Sequence, residues 1–510
     1  MDRSDLRTDS ECQLWDAFPR GEVVDLGPGD PTEDGFDPDS WGEERCVRGE
    51  VITRLLLDAQ DRQPGYVARI WLSGARIIGE IDVSGGRTRH ELILSRCWID
   101  EPMYLINTLS NSVALYRARL CGLVGVGWHA SGSVIFAHSR CDGEITLNGA
   151  HITGSLGFSA ATLRNPGRTT LSASRITVKG GVFCDNRFTA LGEVRLSGAS
   201  IAGQLVFSGA TLANPQRPVL TASRCTINGG VFCDGLTATG EVCLLSTRVT
   251  GRLDFTGASI TAPGQRALNL ESIACSYLLL PAHVDGYCDL RRARIGILRL
   301  PPPDQQPPMR LAGLTYTDLD PDPEPPIDER IAWLQRDPDG FHPQPYEQLA
   351  AYYRSIGHTR GARRVLLAKH RARHRHLSVA VHLPRRLRYL HPVLRPMATL
   401  VWRIPGWVYD AISGYGYVPG RICLWLAASI ATGAVMLHDA APATPTPHRS
   451  LNALLLATDA TLPTHPFGLH DTVALTGANY AVGLALHVIG YALALSVIPT
   501  MTRALNRTNT

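Results

Sequence analysis

Leu196 to Phe207 reads LSGASIAGQLVF, and the fold is decided by how this stretch is read. It starts on Leu, has a small residue three on, an aliphatic at five, Gly at seven, and apolar residues at nine and eleven. The pattern returns as LLSTRVTGRLDF from Leu244, LNGAHITGSLGF from Leu147 and LSGARIIGEIDV from Leu72. Looser copies begin near Leu94, Leu115, Phe136, Leu171, Leu220, Leu270 and Leu290. Starts spaced roughly 20 to 25 residues apart signal a stacked repeat. Apolar residues at alternating offsets predict strands with one face inward. Gly at offset seven suits a corner where the chain bends tightly. One rung cannot bury its own inner face, but stacked rungs bury a continuous core. The reading is a mainly β chain built on a parallel, pentapeptide-repeat-like β-solenoid over residues 67–300. A Gly-rich β-sandwich is the alternative, which regular returns over more than 200 residues disfavour.

The whole chain of 510 residues is too long for one core. Its net charge is only +4, but the charge is unevenly placed, and Lys179 and Lys369 are its only lysines. The 12 cysteines include no CxxC pair. Cys97, Cys141, Cys225 and Cys275 fall on offsets three or five, where a small apolar residue is wanted, so they read as core filling in a reducing compartment. Cys184 and Cys233 recur in matching GGVFCD stretches, which is repeat symmetry before it is a paired site.

Residues 1–45 are acidic, with Asp30, Glu33, Asp34, Asp37 and Asp39 among Gly and Pro, and they lack the basic start and apolar core of a signal peptide. Glu11 to Phe18 reads as a short helix that docks Trp15 and Phe18 on the solenoid. Glu43 to Gln60 reads as an amphipathic helix with Val47, Val51, Leu55 and Leu56 on one face. It caps the first rung within a capping region at 46–66, since an exposed end rung is an aggregation edge.

Beyond the solenoid, Pro density at 301–330 predicts an extended spacer. Ile327 to Arg336 reads as a short helix. Tyr346 to Ile356 and Thr359 to His376 read as two helices broken at Gly357, inside a helical hairpin at 331–382. From Gln348 to Tyr409 there are 13 Arg or Lys and no Asp or Glu. Residues 383–419 mix basic and aromatic side chains, a signature of an interfacial segment on anionic lipid rather than of nucleic-acid binding. The candidate lipid-facing residues are Arg385, Arg386, Arg388, Arg395, Trp402, Arg403, Trp407 and Arg421. His370 and His374 form an i, i+4 pair whose basic neighbours disfavour a cation.

Two apolar stretches, Ile422 to Leu437 and Val473 to Met501, predict a two-span membrane hairpin over 420–510. Arg449 is the only Lys or Arg in the loop at 439–471, while arginines precede the first span and Arg503 and Arg507 follow the second. That asymmetry places both termini and the solenoid in the cytoplasm, at an inner membrane. Asp459, in the connector, reads as a carboxylate in water on an amphipathic outer helix, with a pore loop as the alternative.

The stretches WDAFPRGEVVDLG from Trp15, ERCVRGEVITRLLL from Glu44, GARIIGEIDV from Gly74, YEQLAAYYRSIGHTRGARRVLLAKHRARHR from Tyr346 and GYGY at Gly414 carry a resemblance. The chain resembles a bacterial family with a pentapeptide-repeat-like solenoid and a carboxy-terminal membrane hairpin. Members often carry the label "membrane-associated oxidoreductase", and the resemblance implies that activity without a residue set for it. The residues themselves hold no GxGxxG opening a βαβ unit, no Walker loop, no GxSxG and no HExxH. Cofactor and catalytic residues are therefore unknown. The expected role is a membrane-tethered interaction or structural module offering its solenoid faces to a protein partner. An oxidoreductase, and a small channel or sensor regulated by the solenoid, are the alternatives.

Overall fold

The computed structural model describes residues 3–320, 325–379, 420–440, 449–469 and 477–505. The chain divides into two compact units, Met1–Gln348 and Leu349–Thr510.

The first unit is a parallel β-solenoid of about 11 turns. Each coil pairs in register with the next. Leu72 lies beside Leu94 and Leu94 beside Leu115, and further on Leu156 pairs Val182 and Val182 pairs Leu205. From Ile70 onward, partners lie between 20 residues apart, as for Leu278 and Leu298, and 27, as for Thr162 and Thr189. The alternating residues of the template point inward, and Leu196, Ile201, Leu205 and Phe207 are fully buried. Burying each such side chain contributes about 1.5–3 kcal/mol, and the ladder to the coils on either side satisfies the strand amides.

The glycine at offset seven bends the chain as expected in the Leu72 copy, where Gly79 takes φ of +81°, but has another purpose in the later copies. Gly154, Gly180, Gly203, Gly229 and Gly251 stack in one column joined by backbone hydrogen bonds, such as Gly203 to the Gly180 carbonyl at 2.9 Å. None has a positive φ. A Cβ at Gly203 would sit 2.7 Å from the Gly180 carbonyl oxygen, so close backbone approach is what demands glycine. Left-handed turns lie at offset two, where Arg96, Arg117, His138 and Ser272 take φ of +50° to +57°.

The solenoid carries a second, longer period. Three 11-residue stretches, Thr162–Ser172, Thr211–Thr221 and Ser259–Asn269, begin 49 and 48 residues apart. Each projects as an arch with an exposed tip, PGR, PQR or PGQ, and the arches stack through coils that carry Gly192 and Gly240, with Gly286 in the coil after the last. At Gly192 a Cβ would lie 2.6 Å from the Asn165 carbonyl oxygen and 2.7 Å from that of Arg168.

Both ends of the solenoid are closed. Helix α1 (Asp9–Ala17) buries Leu14 and Trp15, and Phe18 beyond it packs edge-on to His90 at 4.9 Å. Where a helix over 43–60 was expected, Cys46–Arg48 instead pairs with Arg76–Ile78, and only Gly49–Leu56 (α2) is α-helical. Val24 likewise pairs with Leu72, so half a coil of amino-terminal chain satisfies the edge of the first rung. The fully buried Glu11 accepts from Arg48 at 2.8 Å through both oxygens and from the amides of Arg7 and Arg48. At the other end the solenoid runs past its expected limit. Met309–Arg310 and Thr315–Leu319 continue the ladders through the Pro-rich stretch. Helix α3 (Ile327–Gln335) closes this end, with Trp333 buried and donating to the Met309 sulfur. On helix α4 (Pro343–Ser355), Gln344 and Gln348 donate to the Leu314 and Tyr316 carbonyls of the last coil. Residues 321–324 of the expected spacer lie outside the described residues.

In the second unit, helix α5 (Thr359–Val379) follows Gly357, whose φ of +79° ends the preceding helix. Leu349, Tyr352 and Tyr353 of α4 and Val365 of α5 are buried, but Ile356 is exposed. Three further helices are α6 (Gly420–Met436), α7 (Arg449–Thr461) and α8 (Ala478–Leu505). Among the described residues only α8 is long and apolar enough to cross a membrane; α6 is apolar and shorter.

Candidate functional site

The conspicuous cysteines are interior residues. Cys97, Cys141, Cys184, Cys233 and Cys288 are fully buried, and every cysteine is a free thiol. Burial pushes the Cys97, Cys141 and Cys288 thiols up to about 12 and raises those of Cys184 and Cys233 as well. A thiol held protonated is a poor nucleophile and a poor ligand. The GGVFCD recurrence has a packing cause. In one inward column the order is Phe158, Cys184, Phe207, Cys233, Phe255, and in the next it is Ala161, Phe188, Ala210, Leu236, Ala258. Small faces large in alternation, so interior volume stays even from coil to coil. The Phe188 ring accordingly sits between Phe158 and Phe207, at 6.1 and 6.4 Å.

The surface with the most organised chemistry is an outward column on one solenoid face. Its register runs Arg76, Trp98, Arg119, Arg140, then Thr162, Thr189, Thr211 and Thr237. Arg119 stacks on the Trp98 ring at 4.5 Å. Asp100 and Asp142 partly neutralise the arginines from the same face. The acidic segment at 30–41 lies across the basic half of the column. Asp39 pairs with Arg76, Asp34 with Arg140, and Asp34 also with Arg164 at 3.4 Å. Phe36 stacks on Trp98 at 5.8 Å and meets Trp41 edge-on at 5.0 Å. The Arg140 hydrogen bond holds the exposed Asp34 carboxyl below its usual range. The clustered acids were visible in the sequence. Their counterpart was not, because Arg76, Arg119 and Arg140 are more than 20 residues apart and meet only through the coil register.

Asp337, Asp339 and His342 bring three ligand atoms within 4.8 Å of one another. Their donor set suits a divalent cation, but both carboxylates are already engaged, while the buried His342 Nε2 has no hydrogen-bond partner. Asp337 accepts from the amides of Leu311 and Asp339, and Asp339 faces Arg310 at 3.1 Å. Burial raises the Asp337 pKa. The DPDG turn thereby anchors the chain to the last coil, which is a structural task.

The helical part overturns one expectation. Asp459 is fully buried on α7, not in water, and its carboxylate accepts from the Phe467 amide at 2.8 Å. Asn452, Ala453, Leu456 and Ala460 of α7 are buried with it, and Leu437, Leu456, Ala460 and Leu486 form one cluster. The connector is therefore an integral third helix. Small residues let it in: a Cβ at Gly433 would meet Leu486 and Ala457, and one at Gly490 would collide with the Thr461 carbonyl oxygen. His465 contacts the Asp459 carbonyl oxygen at 2.8 Å and stacks on His487 of α8 at 5.3 Å.

Of the candidate lipid-facing residues, Arg421 is exposed on the first turn of α6. Arg385, Arg386, Arg388, Arg395, Trp402, Arg403 and Trp407 lie outside the described residues, as do the GYGY stretch and residues 441–448 of the connector. No protein family, no curated protein and no solved structure matches this chain.

Proposed function

We propose that the chain is a membrane-tethered β-solenoid that serves as an interaction module at the inner face of a bacterial membrane, as the family resemblance implies. The observation that carries this reading is the apolar exterior of the helical part. Leu424, Trp425, Val435 and Met436 of α6 and Leu484, Val488 and Leu495 of α8 are mostly exposed. Only 22% of the Ala478–Leu495 window is buried, which disfavours a core helix of a water-soluble domain. In this reading α6 and α8 both span, residues 383–419 rest on anionic headgroups, and both termini are cytoplasmic. Seventeen residues in α6 are short for a span.

The solenoid contributes area rather than a reaction site. Its outer columns are long, regular and polar, the geometry that solenoids use to bind other chains. A second reading, a small channel or sensor, draws on one observation: the buried Asp459 on a short helix packed among α6 and α8. The oxidoreductase label requires a bound cofactor, and an absorption spectrum of the purified chain tests it.

The test of tethering is extraction. Full-length chain should resist high-salt and carbonate washes of membranes and leave them only with detergent. A chain ending at Asp410 should bind anionic vesicles, leave them in salt, and bind zwitterionic vesicles poorly. Release of the full-length chain by salt alone would overturn the reading. Crosslinking from membranes tests the module itself: a stoichiometric partner held through solenoid residues is the expected result.

A further inference from the structure

We propose that the column Arg76, Trp98, Arg119, Arg140, with Arg164 beside it, is a docking face for an acidic protein segment bearing an aromatic residue, and that residues 30–41 occupy it as a built-in substitute. The inference rests on the interaction-module reading and names the face and the partner's chemistry.

Four observations carry it. The cover and the basic half of the column match: the arginines give way to Thr162, Thr189, Thr211 and Thr237, and Asp34 pairs with Arg140 and Arg164 at that border. The cover is complementary in kind, placing carboxylates on guanidinium groups and Phe36 on the Trp98 ring. It is lightly held. Among the described residues its backbone–backbone hydrogen bonds stay within the segment, as from Glu33 to Asp30 and from Phe36 to Glu33. Its Asp34 and Asp39 side chains are 77% and 78% exposed, so these ion pairs are weak and salt-sensitive. Finally, the face keeps unused capacity: the buried Arg164 Nε has no hydrogen-bond partner.

The ends of the segment are fixed differently. Val24 and Cys46–Arg48 are laddered to the first rung, and Trp41 is buried. Gly27, Gly29 and Gly35 take φ of +119°, +136° and +83°. The segment is therefore a strap anchored at both ends, with turning points that suit an outward swing. Tethering gives it a high effective concentration over the column, so an outside segment must be more acidic, or locally concentrated at the membrane, to displace it.

The test uses full-length protein in detergent and a fluorescein-labelled peptide of residues 28–42. In the variant Asp34→Asn/Phe36→Ala/Asp39→Asn the peptide should bind in the micromolar range and weaken with salt. Unaltered protein should bind it at least tenfold more weakly. Adding Arg119→Gln and Arg140→Gln to the strap variant should cut binding at least tenfold with the strand-rich circular dichroism unchanged. A peptide lacking the Phe36 side chain should also bind more weakly. Equal binding to the unaltered and strap-variant proteins, or indifference to Arg119→Gln and Arg140→Gln, overturns the proposal. So does an oligonucleotide of equal charge that binds the strap variant more tightly than the peptide. If a membrane partner is captured undiminished by chains carrying Arg119→Gln and Arg140→Gln, the module reading stands and this face falls.

Discussion

The two compact units sort their side chains in opposite ways. The solenoid interior is almost wholly Leu, Ile, Val, Phe, Ala and Cys, and its surface columns are Arg, Thr, Asp and Glu. The α6–α8 bundle buries Asp459, Asn452 and Thr461 and exposes Leu424, Trp425, Val435, Val488 and Leu495. Water dictates the first arrangement. The second is sensible where the surroundings are as apolar as leucine, and close packing of small residues holds the helices together. On the membrane reading proposed above, the solenoid and the α6–α8 helices answer to different solvents, and substitutions in each test that reading.

The largest effect is expected inside the solenoid. Ile201→Asp places an unpaired carboxylate at a fully buried position, and the solenoid should lose its strand signal in circular dichroism. Leu495→Asp does the opposite experiment. It should leave the strand signal intact, yet oppose insertion of α8 by about 2.5–3.5 kcal/mol and raise the fraction extracted by carbonate. If Leu495→Asp behaved like Ile201→Asp, the contrast would fail.

Glu11 comes next. Removing it as Glu11→Ala strands the partly buried Arg48 and should cost about 3–5 kcal/mol in denaturant unfolding of the first unit. Burial alone would raise the Glu11 pKa, but Arg48 and the amides of Arg7 and Arg48 more than offset it, so the pKa is lowered on folding. The sign follows directly. The contribution is present above the unfolded value of about 4.3 and is lost as pH falls through the lower folded value. Acid titration of Glu11→Gln should therefore show a shallower loss of stability below that pH than the unaltered chain.

Two smaller effects probe the packing. Gly203→Ala pushes a methyl group against the Gly180 backbone and should cost about 1–3 kcal/mol. Cys184→Phe overpacks its coil by a similar amount, and adding Phe188→Ala should recover most of the loss, because the two positions share one volume. Additivity of Cys184→Phe and Phe188→Ala would contradict that account.

The solenoid was legible because a residue's partner is its own repeat: Leu72, Leu94 and Leu115 announce their register by spacing alone. The arches were hidden, because NPGRTT, NPQRPV and APGQRA recur at 49 and 48 residues, about twice the coil period, and lack the template's alternating apolar pattern. Offset-seven glycine was legible as a corner, but the cause needed coordinates, because close approach and left-handed φ select the same residue. The Pro-rich stretch misled at Met309 and Thr315, where neighbouring coils overrode local composition. Asp459 misled for a related reason. A carboxylate in a helical connector looks solvated until the buried neighbours of α7 and the Phe467 amide are in place. The basic column was not legible at all, since no local window contains it.

The central claim is that the helical part lies in a membrane with the solenoid on its cytoplasmic side. The most direct measurement is labelling of intact cells with an impermeant thiol reagent, after Cys12, Cys46, Cys121 and Cys423 are replaced by Ser. A cysteine at Thr444 should be labelled, and cysteines at Ser40 and Thr508 should be labelled only after the cells are opened. Labelling at Ser40 in intact cells, with Thr444 protected, would put the solenoid outside and contradict the account.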